Sequence, residues 1–228
     1  MDSLDRSAPC DHYRPAALVR LRAGRDRSAR LPPGEFVRVF VALNFPDTIR
    51  DQLWDALTPL RERNAPLPIK WVRSENIHLS LKFLGEVDEA RGPELRAALE
   101  QAARGDARSE TRPLTLRIEG FGVFPDYRRP HVVWAGIDPD PALESLHHGV
   151  EQAFAPLGFP TEARAFRPHV TLGRSRRDAR PRDFAGLESL LGALDFSETV
   201  TVAEVDLMQS TLQPEGSVYQ VKYHERLS

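Results

Sequence analysis

Two short stretches of this chain, His78-Leu79-Ser80-Leu81 and His169-Val170-Thr171-Leu172, repeat one pattern of histidine, apolar, hydroxyl, apolar, 91 residues apart. Alternation with a period of two belongs to a strand with one buried face. Leu79, Leu81, Val170 and Leu172 therefore point into a core, while His78, Ser80, His169 and Thr171 occupy the opposite face. A chain that builds this strand once in each half is constrained to two related units. One such match is unremarkable among seven histidines, whereas two arise by chance in about one chain in a hundred of average composition.

The flanking elements repeat as well. Residues 36–43 form a β-branched and aromatic run, and Pro46-Asp47 then opens a helix with Ile49, Leu53, Leu57 and Leu60 on one face. Strands follow at about 69–73 and 77–84, then a helix at about 88–103 carrying Leu95, Leu99 and Ala102. Residues 114–121 and 131–137 read as a hairpin around the loop 125–130. Pro141 opens a helix with Leu143, Leu146, Val150, Phe154 and Leu157 on one face, and Gly158 ends it. A strand at 169–174, a helix near 184–194 and two closing strands at about 199–210 and 217–224 complete the chain. This order predicts an α+β fold of two related lobes.

At 228 residues, 41% of them hydrophobic and 28% charged, the composition is that of a globular protein and excludes wholesale disorder. Residues 1–34 differ: seven arginines, four aspartates and four prolines show little periodicity, which predicts a flexible extension before a domain at 35–228. The formal charge of −2 excludes a general nucleic-acid coat, so any polyanion site must be a local patch. Such a patch exists at 162–182, where seven arginines oppose only Glu162 and Asp178. Arg167, two residues before His169, is its best candidate for phosphate binding. The single cysteine, Cys10, excludes an intramolecular disulfide, and the absence of an 18-residue apolar run predicts a cytoplasmic chain without a membrane segment. Metal-ligand spacings and a glycine-rich phosphate loop are both missing, so no metal and no cofactor are expected. His147 and His148 read as surface residues of a helix. Phe83, Phe121, Phe124 and Trp134 read as core, with base stacking as the alternative.

If the two halves pack about a pseudo-two-fold axis, the matching strand faces bring two imidazoles and two hydroxyls to one cleft. That set suits phosphodiester chemistry. One histidine serves as general base and the other as general acid, because an imidazole titrates near neutral pH. The hydroxyls hydrogen-bond the non-bridging phosphate oxygens as charge develops.

These stretches resemble the two-histidine phosphoesterases, and within them the bacterial and archaeal RNA 2′,3′-cyclic phosphodiesterases, historically called 2′-5′ RNA ligases. The resemblance rests on residues 37–43, 71–86, 120–125, 166–174 and 210–219, and spans about 36–227. It implies two pseudo-symmetric lobes whose antiparallel sheets line a central cleft, with helices outside. It also implies hydrolysis of a terminal 2′,3′-cyclic phosphate on RNA to a 2′-phosphomonoester, with His78 as proton donor and His169 as proton acceptor. Ser80 and Thr171 fall on the family's hydroxyl positions, although the family usually has threonine where Ser80 stands. The expected partner is RNA with a 2′,3′-cyclic phosphate end, handled by a monomer. Alternatives are joining of 2′-5′ ends, hydrolysis of another 2′-5′ or cyclic nucleotide, and a non-catalytic module that binds RNA ends.

Overall fold

The computed structural model describes residues 35–63, 66–105, 113–213 and 216–228. The extension expected over residues 1–34 lies outside the described residues.

β1 (Phe36–Asn44) is buried without interruption from Val39 to Leu43, as expected of a strand covered on both faces. Val39, Val41 and Leu43 enter the main core, whereas Phe40 and Ala42 pack with Met208 on the other face. α1 (Asp47–Ala56) buries Ile49 and Leu53, and its apolar stripe continues through Leu57 into the one-turn α2 (Thr58–Arg61), where Leu60 is buried. β2 (Ile69–Trp71) and a 3-10 turn lead into β3 (His78–Asp88). α3 (Gly92–Arg104) directs Leu95, Ala98, Leu99 and Ala102 inward and ends at Gly105, whose φ of +65° lies in the region that glycine tolerates.

β4 (Leu114–Phe124) and β5 (Val132–Ile137) form the expected hairpin. α4 (Pro141–Phe154) starts at Asp140, whose carboxylate accepts a hydrogen bond from the Leu143 N–H at 2.8 Å, with Pro141 in the first turn. α4 packs along α3. β6 (His169–Ser175), α5 (Leu187–Gly192), β7 (Ser197–Val202), β8 (Glu204–Gln213) and β9 (Gly216–Arg226) follow.

All nine strands of the described residues join one antiparallel sheet in the order β7-β4-β5-β6-β3-β1-β8-β9, with β2 paired to β6. Its two halves, β3-β1-β8-β9 and β6-β5-β4-β7, meet where β3 touches β6. The run β1-α1-β3-α3 has its counterpart in β5-α4-β6-α5, which is the two-lobed α+β architecture expected from the repeated pattern.

Two expectations need correction. The strand expected over 199–210 is two strands, broken at Ala203 and lying on different lobes: β7 pairs with β4, and β8 pairs with β1 and β9. Val200, Val202, Val205 and Leu207 are all buried, so apolar alternation hardly falters across the break and does not reveal it. One residue connects β7 to β8 although five strands separate them in the sheet order, so the sheet must curl. The lobes are therefore not sequential, because the first holds β1 together with the closing hairpin. His147, expected at the surface, instead stacks its ring on Phe166 with centroids 3.9 Å apart. Phe166 comes from a loop remote in sequence, which the helical periodicity of α4 cannot register.

Candidate active site

Leu79 of β3 pairs with Val170 of β6, and both are fully buried. Residues on either side of a rung project to the opposite face. His78, Ser80, His169 and Thr171 therefore line one face at the junction of the lobes, each half-buried. In the register of that rung the two histidines are diagonal neighbours, which stand about 7–8 Å apart on a regular sheet, room enough for a phosphate group between them.

Both imidazoles are held in the same way. Nδ1 of His78 lies 2.8 Å from the carbonyl oxygen of Asn76, and Nδ1 of His169 lies 2.8 Å from that of Arg167. A carbonyl can only accept, so each Nδ1 carries the proton, and Nε2 of the neutral ring keeps its lone pair for the cleft. Ser80 Oγ, 3.0 Å from His78 Nε2, donates to that lone pair. Aromatic rings fix the imidazole planes: Tyr219 meets His78 edge-on at 5.1 Å with Phe40 at 5.0 Å, and Phe124 meets His169 edge-on at 5.0 Å.

Burial pushes the His78 pKa from 6.5 down to about 4; the Asn76 carbonyl opposes this, and the positive charge of Arg174 adds to it. The pKa of His169 is lowered by the same causes: burial first, opposed by the Arg167 carbonyl, with Arg174 again adding to the fall. Arg174 thus acts electrostatically on both rings. Its place comes from a bulge: β5 pairs Trp134 with Thr171 but Val133 with Gly173, which leaves Leu172 as the extra residue and sets Arg174 opposite Val132. The strand's alternation is shifted by one, and a residue that strict alternation assigns to the core joins the cleft face. The same irregularity recurs on β3 at Leu81 and sets Phe83 opposite Phe40. Phe83 and Arg174, each five residues after a motif histidine, are pseudo-symmetric partners, and Phe83, expected in the core, is instead 57% exposed because the bulge turns it to the cleft face.

The other residues singled out in the sequence divide. The Arg167 side chain is exposed, and the atom it brings to His169 is its backbone carbonyl. Phe124 stands beside His169 with Trp134 5.2 Å from Phe124, whereas Phe121 packs on the core and faces Phe196. Gly122 makes room for Trp134, because a Cβ there would lie 2.4 Å from the indole ring. Sequence reasoning missed Arg174, Phe40 and Tyr219 as site residues. A pocket of about 410 Å³ opens beside His78, lined in part by Asn44, Asp206, Tyr219 and His224. Asn44 donates to Asp206 at 2.7 Å, while burial raises the Asp206 pKa. His224 stands opposite Asp206 in the pairing of β8 with β9. Among the described residues no three His, Cys, Asp or Glu side chains gather as a metal site.

Residues 45–213 match the family model of the 2′-5′ RNA ligase superfamily. The RNA 2′,3′-cyclic phosphodiesterase of Methanothermobacter thermautotrophicus is 32% identical over 185 residues, covering 80% of this chain and 95% of that protein. The RNA 2′,3′-cyclic phosphodiesterase of Thermotoga maritima is 31% identical over 188 residues, covering 82% and 94%. Among solved structures, a Thermus thermophilus protein superposes with a TM-score of 0.66 at 28% identity over 83% of this chain and 97% of its own. E. coli LigT complexed with 3′-AMP superposes with a TM-score of 0.63 at 25% identity over 85% and 99%.

Proposed function

This chain belongs to the 2′-5′ RNA ligase superfamily, and on that premise we propose that it hydrolyses the 2′,3′-cyclic phosphate at the end of RNA to a 2′-phosphomonoester, without a metal, through His78 and His169. The observation that carries this reading is the shared anchoring of the two imidazoles: both have Nδ1 tied to a backbone carbonyl, and the Nε2 of His78 meets the hydroxyl of Ser80.

The cyclic phosphate lies between the rings. His169 Nε2 takes a proton from water as its oxygen attacks phosphorus, the bond from phosphorus to O3′ breaks, and His78 Nε2–H protonates the departing O3′. The order of these roles follows the family resemblance. Negative charge growing on the non-bridging oxygens is met by Ser80 Oγ, Thr171 Oγ1 and the Arg174 guanidinium, which are already in place on the sheet. Arg167 adds a second cation at the exposed mouth.

In the free enzyme His78 is neutral at pH 7, since its pKa is about 4. A phosphate anion in contact favours the imidazolium and raises that value, so the substrate itself charges the general acid. Ser80 can follow the change: its hydroxyl donates to neutral Nε2 and turns to a phosphate oxygen once Nε2 is protonated and its N–H is directed at O3′. Phe83 offers a face for a base upstream of the phosphate.

No helix among the described residues is long and apolar enough to cross a membrane, and we place the enzyme in the cytoplasm, acting as a monomer. The test is turnover of a short RNA ending in 2′,3′-cyclic phosphate beside the same RNA with a linear 3′-phosphate. Conversion of the cyclic end to a monoester, with the linear 3′-phosphate left unchanged, supports the proposal, whereas no turnover of the cyclic end overturns it.

A further inference from the structure

β3 carries a charge into the core. Lys82 pairs with Val41 on the helix-covered face and is 3% exposed, and its Nζ donates to Glu151 Oε2 of α4 at 2.6 Å. Two charges withdrawn from water cost several kcal/mol each, and a pair of this kind is often replaceable by apolar residues without loss of stability. Stability alone is therefore a poor reason for its presence.

The pseudo-two-fold supplies another reason. Shifting by the 91 residues between the motif histidines relates Ile69–Trp71 to Pro160–Glu162, Lys82 to Gly173, and Asn76 to Arg167. In the first case β2 forms a ladder with β6, Trp71 opposite Gly173, and this fixes the chain that runs on to the Asn76 carbonyl and His78. Gly173 is bare because a Cβ there would lie 2.6 Å from Ile69 and 2.9 Å from Trp71. In the second case residues 160–162 form no strand. Instead the side chains of the buried pair make the missing hydrogen bonds: Lys82 Nζ donates to the Pro160 carbonyl at 2.9 Å, and Glu151 Oε2 accepts from the Glu162 N–H at 3.1 Å. The same strap is gripped a second time by the stack of Phe166 on His147, whose Nε2 is 3.8 Å from Glu151 Oε1, a buried oxygen with no hydrogen-bond partner. The next residue is Arg167, whose carbonyl orients His169.

We propose that Lys82 and Glu151 are positioning residues for His169: their buried pair takes the place of the strand pairing that this lobe lacks and holds the 160–167 strap, so that the Arg167 carbonyl meets the His169 imidazole. The inference rests on the proposed role of His169, but its physical content can be tested without turnover. An imidazole Nδ1–H held by a carbonyl gives a downfield, slowly exchanging proton resonance. The full chain should show two such signals, one lost in H78A and the other in H169A.

In the double variant K82M/E151M, folded by its thermal transition, the His169 signal is expected to vanish while the His78 signal stays. Against cyclic-phosphate RNA its kcat should fall about ten- to a hundred-fold, with KM within about two-fold, as for a displaced reacting group. Glu162→Pro, read against Glu162→Ala, which loses the same carboxylate but keeps the N–H, removes the strap's donor and leaves the core pair whole, so it tests the tether even if the double variant does not fold. It too should lose the His169 signal and lower kcat. Retention of that signal with wild-type kcat in a folded variant overturns the proposal. Activity retained by H169A would instead overturn the catalytic reading, while the loss or retention of the signal would still decide the tether.

Discussion

Leu79 and Val170 face each other on the rung that joins β3 to β6, and this pairing sets His78 and His169 on a common face where the two lobes of the sheet meet. The immediate consequence is that neither histidine can substitute for the other, since each reaches the cleft from its own lobe. Replacing either by alanine should lower the hydrolytic rate by at least about 10², the usual worth of a positioned acid or base. Steady-state kinetics beside a thermal melt checks this, because the fold should survive both changes.

The rate should also depend on pH through both rings. The free-enzyme profile, kcat/KM, is expected to be a bell lying below the pH range of an unperturbed imidazole pair, because both pKa values are lowered and that of His78 is about 4. With the phosphate bound both values rise, so the kcat profile should lie at higher pH. Measuring the two profiles on one substrate checks the order.

Arg174 lowers the pKa of both histidines by its charge. Arg174→Gln should therefore move both limbs of the kcat/KM profile to higher pH and weaken substrate binding, whereas Arg167→Ala, at an exposed side chain, should weaken binding while leaving the limbs in place. A shift of both limbs in Arg167→Ala and none in Arg174→Gln would reverse their places in the site.

This division also marks what can be read from the sequence. The motif strands are legible because alternation is local: His78, Ser80, His169 and Thr171 share a face by period alone. Arg174 is not, since the bulge at Leu172 breaks that period and arises from pairing with β5. Likewise the crossing from β7 to β8 is hidden by apolar residues that continue through Ala203, and His147 is covered by Phe166 from a distant loop. Features set by neighbours along the chain are visible in the sequence, and those set by neighbours across the sheet are not.

Burial of a neutral His78 links folding to pH. Its pKa is about 4 in the folded chain and 6.5 unfolded, so between these values the unfolded chain binds more protons. The stability at issue is fully present above pH 6.5 and is lost as pH falls through about 4, a difference of about 3 kcal/mol over 2.5 pH units. Urea midpoints at pH 7 and pH 4 should therefore differ less in His78→Gln than in the unaltered chain. An equal difference in both would place the proton elsewhere.

The most direct measurement is the identity of the product when RNA ending in 2′,3′-cyclic phosphate is incubated with the protein in excess EDTA. The expected product is a 2′-phosphomonoester, formed at an undiminished rate in the chelator and absent with His169→Ala. A 3′-phosphomonoester would contradict the direction of opening, and loss of activity in EDTA would contradict the metal-free histidine pair.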